Sequence, residues 1–92
     1  MSVTLNLFGQ LRHIADADEV SIDVATDSTL LSTLKALAGN YDDSFSTMLF
    51  DESGAVRPTM MVLINETTID KANPPSIQDG DQITLLSAIA GG

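Results

Sequence analysis

Cysteine and tryptophan are absent from this 92-residue sequence, and its aromatic residues are one tyrosine and three phenylalanines. Without cysteine the chain has no disulfide, no thiolate nucleophile and no cysteine-ligated zinc or iron–sulfur site. No apolar run approaches the roughly 20 residues that span a bilayer, and no basic start precedes an apolar stretch as in a secretory signal. We therefore expect a soluble, cytoplasmic protein that binds no membrane.

Basic residues are also scarce. Thirteen acidic residues stand against four basic ones, which gives a net charge of −9. This balance disfavours nucleic acid and anionic membrane surfaces as partners, because both repel an acidic protein. Most of the acidic residues are expected to confer solubility, and a salt-rich habitat would explain the same bias. A protein partner with a basic docking surface is compatible with either interpretation.

Motifs for independent catalysis are missing as well. The sequence has no phosphate-binding Gly-x-x-x-x-Gly-Lys loop, no dinucleotide fingerprint, no His-Glu-x-x-His and no nucleophile elbow. The single histidine, His13, lies in a polar segment without a partner constellation, which favours a solvated side chain. Asp79 and Asp81 flank Gly80, but the further oxygen ligands that calcium needs are missing, so we interpret them as turn residues. We expect no catalytic residue, no metal and no permanently bound cofactor.

Strands are predicted where apolar residues alternate with polar ones or form short continuous runs. These segments are residues 3–8, 20–24, 60–64, 67–69 and 82–86. Residues 9–19 are mostly polar and are expected to join the first two strands as the irregular loop of an antiparallel pair. The sequence Asp79-Gly80-Asp81 is a strong turn signal before the last strand.

One main helix is predicted between the two halves of the sheet. Several good N-cap side chains at residues 26–29 precede leucines at helical spacing over residues 30–38. A second, short helix over residues 43–50 would bury Phe45 and Leu49. Residues 51–54 are expected to form a turn.

The order ββαββ with one main helix predicts an α+β roll over residues 1–92. A single substantial helix covers only one face of a mixed sheet, so the other face should stay largely open. The first and last strands are expected at the centre of the sheet, because both are long and apolar and contain no proline. As neighbours they would run parallel, joined through the helix-containing crossover.

An open sheet face leaves several large apolar side chains without cover. Phe8, Met61, Leu63 and Leu86 are the candidates, and together they would form a partner-binding patch. For Met61 and Leu63 a satellite core beneath the loop of residues 51–58 is an equally good interpretation.

The chain ends with Ala90-Gly91-Gly92, directly after its last predicted strand. Glycine loses the most backbone freedom on ordering, so a flexible tail over about residues 88–92 is expected. Because Ala90 has only a methyl group and Gly91 and Gly92 have no side chain, the three residues would also thread a narrow channel and present the terminal carboxylate to another protein. A Gly-Gly end alone has the simpler interpretation of an accidental floppy terminus, so its meaning depends on context.

These features together resemble the MoaD/ThiS family of β-grasp, ubiquitin-like sulfur carriers over essentially the whole chain. The resemblance is carried by Val62-Leu63-Ile64-Asn65, by Asp79-Gly80-Asp81, by the last strand and its ending Ala88-Ile89-Ala90-Gly91-Gly92, and by the opening Leu7-Phe8-Gly9-Gln10-Leu11-Arg12. It implies that an E1-like enzyme adenylates Gly92 with ATP and that sulfur then converts the glycine to a thiocarboxylate.

The resemblance leaves the recipient of the sulfur open. Carriers of the molybdopterin type often have a proline pair before the glycines, where this chain has Leu86-Ser87-Ala88. The implied recipient is a molybdopterin synthase large subunit or a cysteine synthase. Arg57-Pro58 and the ending of the chain look more like the carriers that serve cysteine synthesis, or like the broader set of small archaeal and bacterial modifiers. The additional length at residues 43–58 argues against a thiamine role. The alternative is a ubiquitin-like modifier joined to lysines through Gly92, and a third is an interaction module without tail chemistry.

Overall fold

The computed structural model describes residues 1–87, which form five strands and three helices. In chain order the elements are β1 (Ser2–Leu7), α1 (Gly9–Ala15), β2 (Glu19–Asp23), α2 (Leu30–Ala38), α3 (Asp43–Leu49), β3 (Met60–Ile64), β4 (Thr67–Thr68) and β5 (Gln82–Ser87). Every predicted strand and both predicted helices are present, with ends that differ by at most one residue. The expected tail lies outside the described residues.

The five strands form one mixed sheet in the order β2-β1-β5-β3-β4. β1 pairs parallel with β5 and antiparallel with β2, and β3 pairs antiparallel with both β5 and β4. The predicted parallel pairing of the first and last strands in the interior of the sheet is therefore confirmed. The short strand predicted at residues 67–69, which the order ββαββ does not count, joins the same sheet as its edge strand β4.

The core lies between the helices and one face of the sheet. β1, β3 and β5 each alternate buried and more accessible residues, so only one side of every strand contributes to it. The sheet's main core residues are Val3, Leu5, Leu7, Met60, Val62, Ile64, Ile83 and Leu85, and α2 adds Leu30, Leu34 and Leu37. The prediction of one covered and one open face is confirmed.

The connection over residues 9–19 is not an irregular loop, because its first part is helix α1. Leu11, Ile14 and Ala15 have the i, i+3, i+4 spacing of a helix face. Leu11 is fully buried, and the other two pack against the core. The helix ends at Asp16, whose φ of 54° is left-handed and whose N–H bonds back to the carbonyls of Arg12 and His13. The segment was predicted to be a loop because most of its residues are polar, although it contains this short amphipathic pattern.

α2 begins with the capping arrangement that its sequence favours. The Thr29 hydroxyl accepts a hydrogen bond from the Ser32 N–H at 3.1 Å, and the Ser32 hydroxyl accepts one from the Thr29 N–H at 2.9 Å. This reciprocal pair satisfies backbone donors that the first turn of a helix leaves free.

Thr33, in the middle of α2, is fully buried and its Oγ1 has no hydrogen-bond partner among the described residues. We expect Thr33→Val to raise the free energy of unfolding by about 1 kcal/mol, because a desolvated hydroxyl without a partner is replaced by a methyl group. Urea denaturation would measure the change. Thr29→Val is the matched control and should lower the free energy of unfolding by about 1 kcal/mol through loss of the cap. Equal effects of the two substitutions would contradict the prediction.

α3 and the turn that follows it also form as predicted. Phe45 and Leu49 are buried, and the Phe45 ring stacks on Tyr41 with 4.7 Å between ring centroids. In the turn of residues 51–54, the Asp51 carboxylate accepts hydrogen bonds from the hydroxyl and N–H of Ser53 at 2.6 and 2.9 Å. The Ser53 hydroxyl bond holds the pKa of Asp51 below its usual value.

Lys71, in the connection between β4 and β5, fixes the approach to β3. Its Nζ donates hydrogen bonds to the carbonyl oxygens of Met60 at 2.6 Å, Arg57 at 2.9 Å and Pro58 at 3.2 Å. An ammonium has three N–H bonds, and all three are used here. No local sequence pattern indicates this contact, because it joins residues more than ten positions apart.

Candidate partner-binding face and tail

The sequence-predicted patch residues on β3 and β5 come together on the open face of the sheet. Met61 is the register partner of Leu86, and Leu63 is the register partner of Thr84. Directly opposed residues in an antiparallel pair have Cβ atoms about 5 Å apart, so the side chains of each pair are in reach of one another. Met61, Leu63 and Leu86 are half-buried and lie on the opposite face from the core residues Val62 and Leu85.

This placement argues against the satellite core as the role of Met61 and Leu63, while their binding of a partner stays a prediction. Residues 55–58 approach the helix-covered side, where Val56 packs against the main core. Met61 and Leu63 are not part of that core and have the opposite strand parity. The satellite core is therefore not formed by these two side chains.

Phe8 extends the patch toward the first strand. It is 51% exposed, which is high for so large an apolar side chain. It follows Leu7, which pairs with Leu85 in the parallel ladder, so the same register would set Phe8 beside Leu86. Phe8 also lines a depression together with Asn6 and Thr84 of the open face. We use the name open-face patch for Phe8, Met61, Leu63 and Leu86.

The other end of the open face is polar. Asn6, Asn65, Glu66, Gln82 and Thr84 line a depression of about 290 Å³. The Asn6 amide donates to the Gln82 side-chain oxygen at 3.3 Å, and the Gln82 N–H donates to the Asn65 side-chain oxygen at 3.0 Å. The open face is thus apolar near the end of β5 and polar near its start.

Asn65 and Glu66 form the two-residue turn between β3 and β4. Their φ angles are 50° and 72°, the left-handed values that a tight hairpin of this length requires. Asn65 tolerates this conformation, and its amide also donates to the Asp81 carboxylate at 3.0 Å. The turn therefore also connects to the start of β5.

Asp79 and Asp81 are turn residues, as predicted. The Asp79 carboxylate accepts from the Ser2 N–H at 2.8 Å, and the Asp81 carboxylate accepts from the Gln78 N–H at 2.9 Å. Gly80 has a φ of 84°, which only glycine adopts without strain, and its N–H donates to the Ser2 carbonyl at 2.7 Å. Through its hydrogen bonds with Ser2, the turn connects the start of β1 with the start of β5.

His13 is exposed, as expected, but it lies in the last turn of α1 instead of a loop. Within residues 1–87, no three histidine, aspartate or glutamate side chains form a group that could hold a metal ion. In the same part of the chain, no helix is long and apolar enough to cross a bilayer.

The last described residue lies at the apolar end of the open face. Ser87 is the last residue of β5 and pairs with Met60, next to the Met61–Leu86 pair. Ala90, Gly91 and Gly92 lie outside the described residues, so their predicted roles remain predictions. Ser87, one residue after Leu86, is the last residue that the structure describes.

Comparison with known proteins identifies the family. The sequence matches the ThiS family over residues 5–92. The chain belongs to the ThiS family. Small archaeal modifier protein 3 of Haloferax volcanii is 26% identical over 94 residues, which cover all of both chains. Ubiquitin-related modifier 1 of Laccaria bicolor is 44% identical over 46 residues, which are 48% of this chain and 38% of that protein.

The fold agrees with this assignment. The crystal structure of SAMP1 from Haloferax volcanii superposes with a TM-score of 0.87 at 26% identity and covers all of both chains. The predicted β-grasp, ubiquitin-like fold is thereby confirmed. The chain therefore belongs to a family of ubiquitin-like small modifiers and sulfur carriers.

Proposed function

We propose that this ThiS family chain is a sulfur carrier whose C-terminal Gly92 is adenylated by an E1-like enzyme and then converted to a thiocarboxylate. The observation that carries the proposal is the position of the open-face patch. An apolar surface formed by Met61, Leu86 and their neighbours lies beside Ser87, the last described residue, which three residues separate from the Gly-Gly ending in the sequence. An enzyme that docks on the patch would have the tail beside its active site.

The chemistry requires an activated carboxylate. A carboxylate is a poor electrophile, so one carboxylate oxygen of Gly92 must first be converted into part of a good leaving group. Attack of the carboxylate on the α-phosphorus of ATP releases pyrophosphate and forms an acyl adenylate. Sulfur then attacks the carbonyl carbon, the bond to AMP breaks, and a thiocarboxylate remains. The ATP belongs to the activating enzyme, and the recipient of the sulfur would be a biosynthetic enzyme such as a molybdopterin synthase large subunit or a cysteine synthase.

A second function shares the same first step. Two relatives are named as modifiers, which supports a role in which the Gly92 adenylate or a derivative of it is joined to lysines. The open-face patch and the tail would have the same role in both functions, because both functions begin with adenylation of Gly92.

Pyrophosphate exchange tests the shared step. The chain, the E1-like enzyme of the same organism and ATP should together incorporate labelled pyrophosphate into ATP, because adenylation is reversible. Removal of Gly92 should abolish the exchange. Exchange that continues without Gly92 would contradict the assignment of the reactive carboxylate.

Leu86→Ala tests the patch. We expect binding to the E1-like enzyme, measured by calorimetry, to weaken about tenfold or more, because a few side chains near the centre of an interface contribute most of the affinity. The free energy of unfolding should fall by less than about 1 kcal/mol.

Leu85→Ala is the matched control, since the neighbouring side chain is fully buried in the core. It should cost about 2–5 kcal/mol of unfolding free energy. A large loss of stability in Leu86→Ala, with unchanged affinity, would assign Leu86 to the core and contradict the patch.

A further inference from the structure

The primary amines of this chain differ sharply in their accessibility. Lys35 and Lys71 are its two lysines, and the N-terminal amine belongs to Met1. An amine attacks an acyl group through a free lone pair, so an amine held by carbonyl acceptors is a poor acceptor in conjugation.

Two of these amines are engaged. The Met1 amine donates to the Val24 carbonyl at 2.6 Å and is partly buried beside the start of the sheet. The Lys71 Nζ directs its three N–H bonds at the carbonyls of Arg57, Pro58 and Met60, so no face of the nitrogen is left for an incoming acyl group. Reaction at Lys71 would also break the contact that fixes the approach to β3.

The amine of Lys35, in contrast, is accessible. It is exposed on α2, and its ammonium has no hydrogen-bond or ion-pair partner among residues 1–87. Its Nζ lies 3.8 Å from the position that a Cβ on Gly54 would occupy, and Gly54 has no side chain to shield it. The neighbouring position on the helix surface is Ala36, which is also small and exposed. A thin Gly-Gly tail can therefore approach this amine.

The position of Lys35 has a second consequence. α2 buries Leu34 and Leu37 against the core, so Lys35 lies on the helix-covered side of the sheet. The open-face patch lies on the other side. The copy that supplies Lys35 would therefore keep its open-face patch uncovered. Its own Gly92 would take no part in the new bond.

We propose that Lys35 is the acceptor amine through which one copy of this chain is joined to the tail of another. The inference rests on the proposed activation of Gly92. The neutral Lys35 Nζ attacks the carbonyl carbon of the Gly92 adenylate, the carbon–oxygen bond to AMP breaks, and AMP leaves. The nitrogen loses a proton to water, and an isopeptide bond remains. Loss of AMP supplies the driving force, so no oxidant or reductant is needed.

The test uses the full chain, the E1-like enzyme of the same organism and ATP without a sulfur source. We expect a reduction-resistant product of twice the chain mass less one water. Trypsin cleaves after Lys71, so the branch on Lys35 should carry residues 72–92, which tandem mass spectrometry would locate. Lys35→Arg keeps the charge and the helix and should lose the product. Lys71→Arg should retain it, and a thermal melt of each variant verifies its fold.

Pyrophosphate exchange in the same samples separates the possible failures. Exchange without any conjugate, or a branch mapped to Lys71 or Met1, overturns the Lys35 proposal and leaves the activation of Gly92 intact. Undiminished conjugation of Lys35→Arg overturns it as well. Absence of exchange with an enzyme active on another carrier contradicts the activation of Gly92, and the Lys35 proposal falls with it.

Discussion

Substitution of Gly91 by valine is expected to reduce adenylation of Gly92 by about 100-fold, because a misplacement of about 1 Å at the reacting atoms can cost that much. The valine side chain would collide with the walls of the enzyme channel that the tail has to thread. Rates of pyrophosphate exchange with the E1-like enzyme would measure the effect. The fold should be unchanged, since residue 91 lies four positions beyond Ser87, the last residue of β5.

Two controls make this result specific. The free energy of unfolding of Gly91→Val should equal that of the unaltered chain. Binding to the enzyme should fall far less than the rate, because the open-face patch is intact. Undiminished adenylation by Gly91→Val would contradict the steric role of Gly91, and an equal loss of binding and rate would show that the tail acts mainly as a binding element.

Substitution of Lys71 by methionine is expected to lower the free energy of unfolding by about 2–3 kcal/mol, in line with hydrogen bonds to charged groups. Methionine keeps an unbranched apolar stem but has no donor. The carbonyls of Arg57, Pro58 and Met60 would lose the partner that now joins them. In a chain of this size the melting temperature should fall by about 10 °C or more.

Lys35→Met is the matched control for this prediction. It removes the same charge from an exposed site without a hydrogen bond among the described residues, so its effect should stay within about 0.5 kcal/mol. Each of the two substitutions removes one positive charge, so the net charge becomes more negative by the same amount in both variants. Equal losses of stability would show that the charge, and not the three-carbonyl contact, accounts for the effect of Lys71→Met.

The β-strands could be predicted from sequence because burial on one face of a sheet produces a period of two. Val3, Leu5 and Leu7 show it directly, and the parallel pairing of β1 with β5 followed from their length and apolar content. The same periodicity placed Met61, Leu63 and Leu86 as candidates for the open face. The periodicity did not show whether a loop buries these three side chains. A segment that is distant in sequence can cover a strand without changing the alternation of apolar and polar residues within it.

Other features depend on contacts that no local pattern encodes. α1 escaped prediction because seven residues contain only one buried position, Leu11, among polar neighbours. The Lys71 contact and the bonds of Asn65 to Asp81 and Gln82 join segments distant in sequence. The chemical role of Gly92 could be inferred only from the family resemblance, because a terminal glycine has no side chain whose surroundings could reveal it.

The most direct test of the proposed sulfur carriage is the intact mass of the chain after incubation with its E1-like enzyme, ATP and a sulfide source. Sulfur carriage requires a gain of about sixteen mass units, one oxygen replaced by sulfur, located at Gly92 by fragmentation. The Gly92 deletion should show no gain. An unchanged mass, with the enzyme proven active on another carrier, would contradict a thiocarboxylate and leave the modifier role or a plain interaction module.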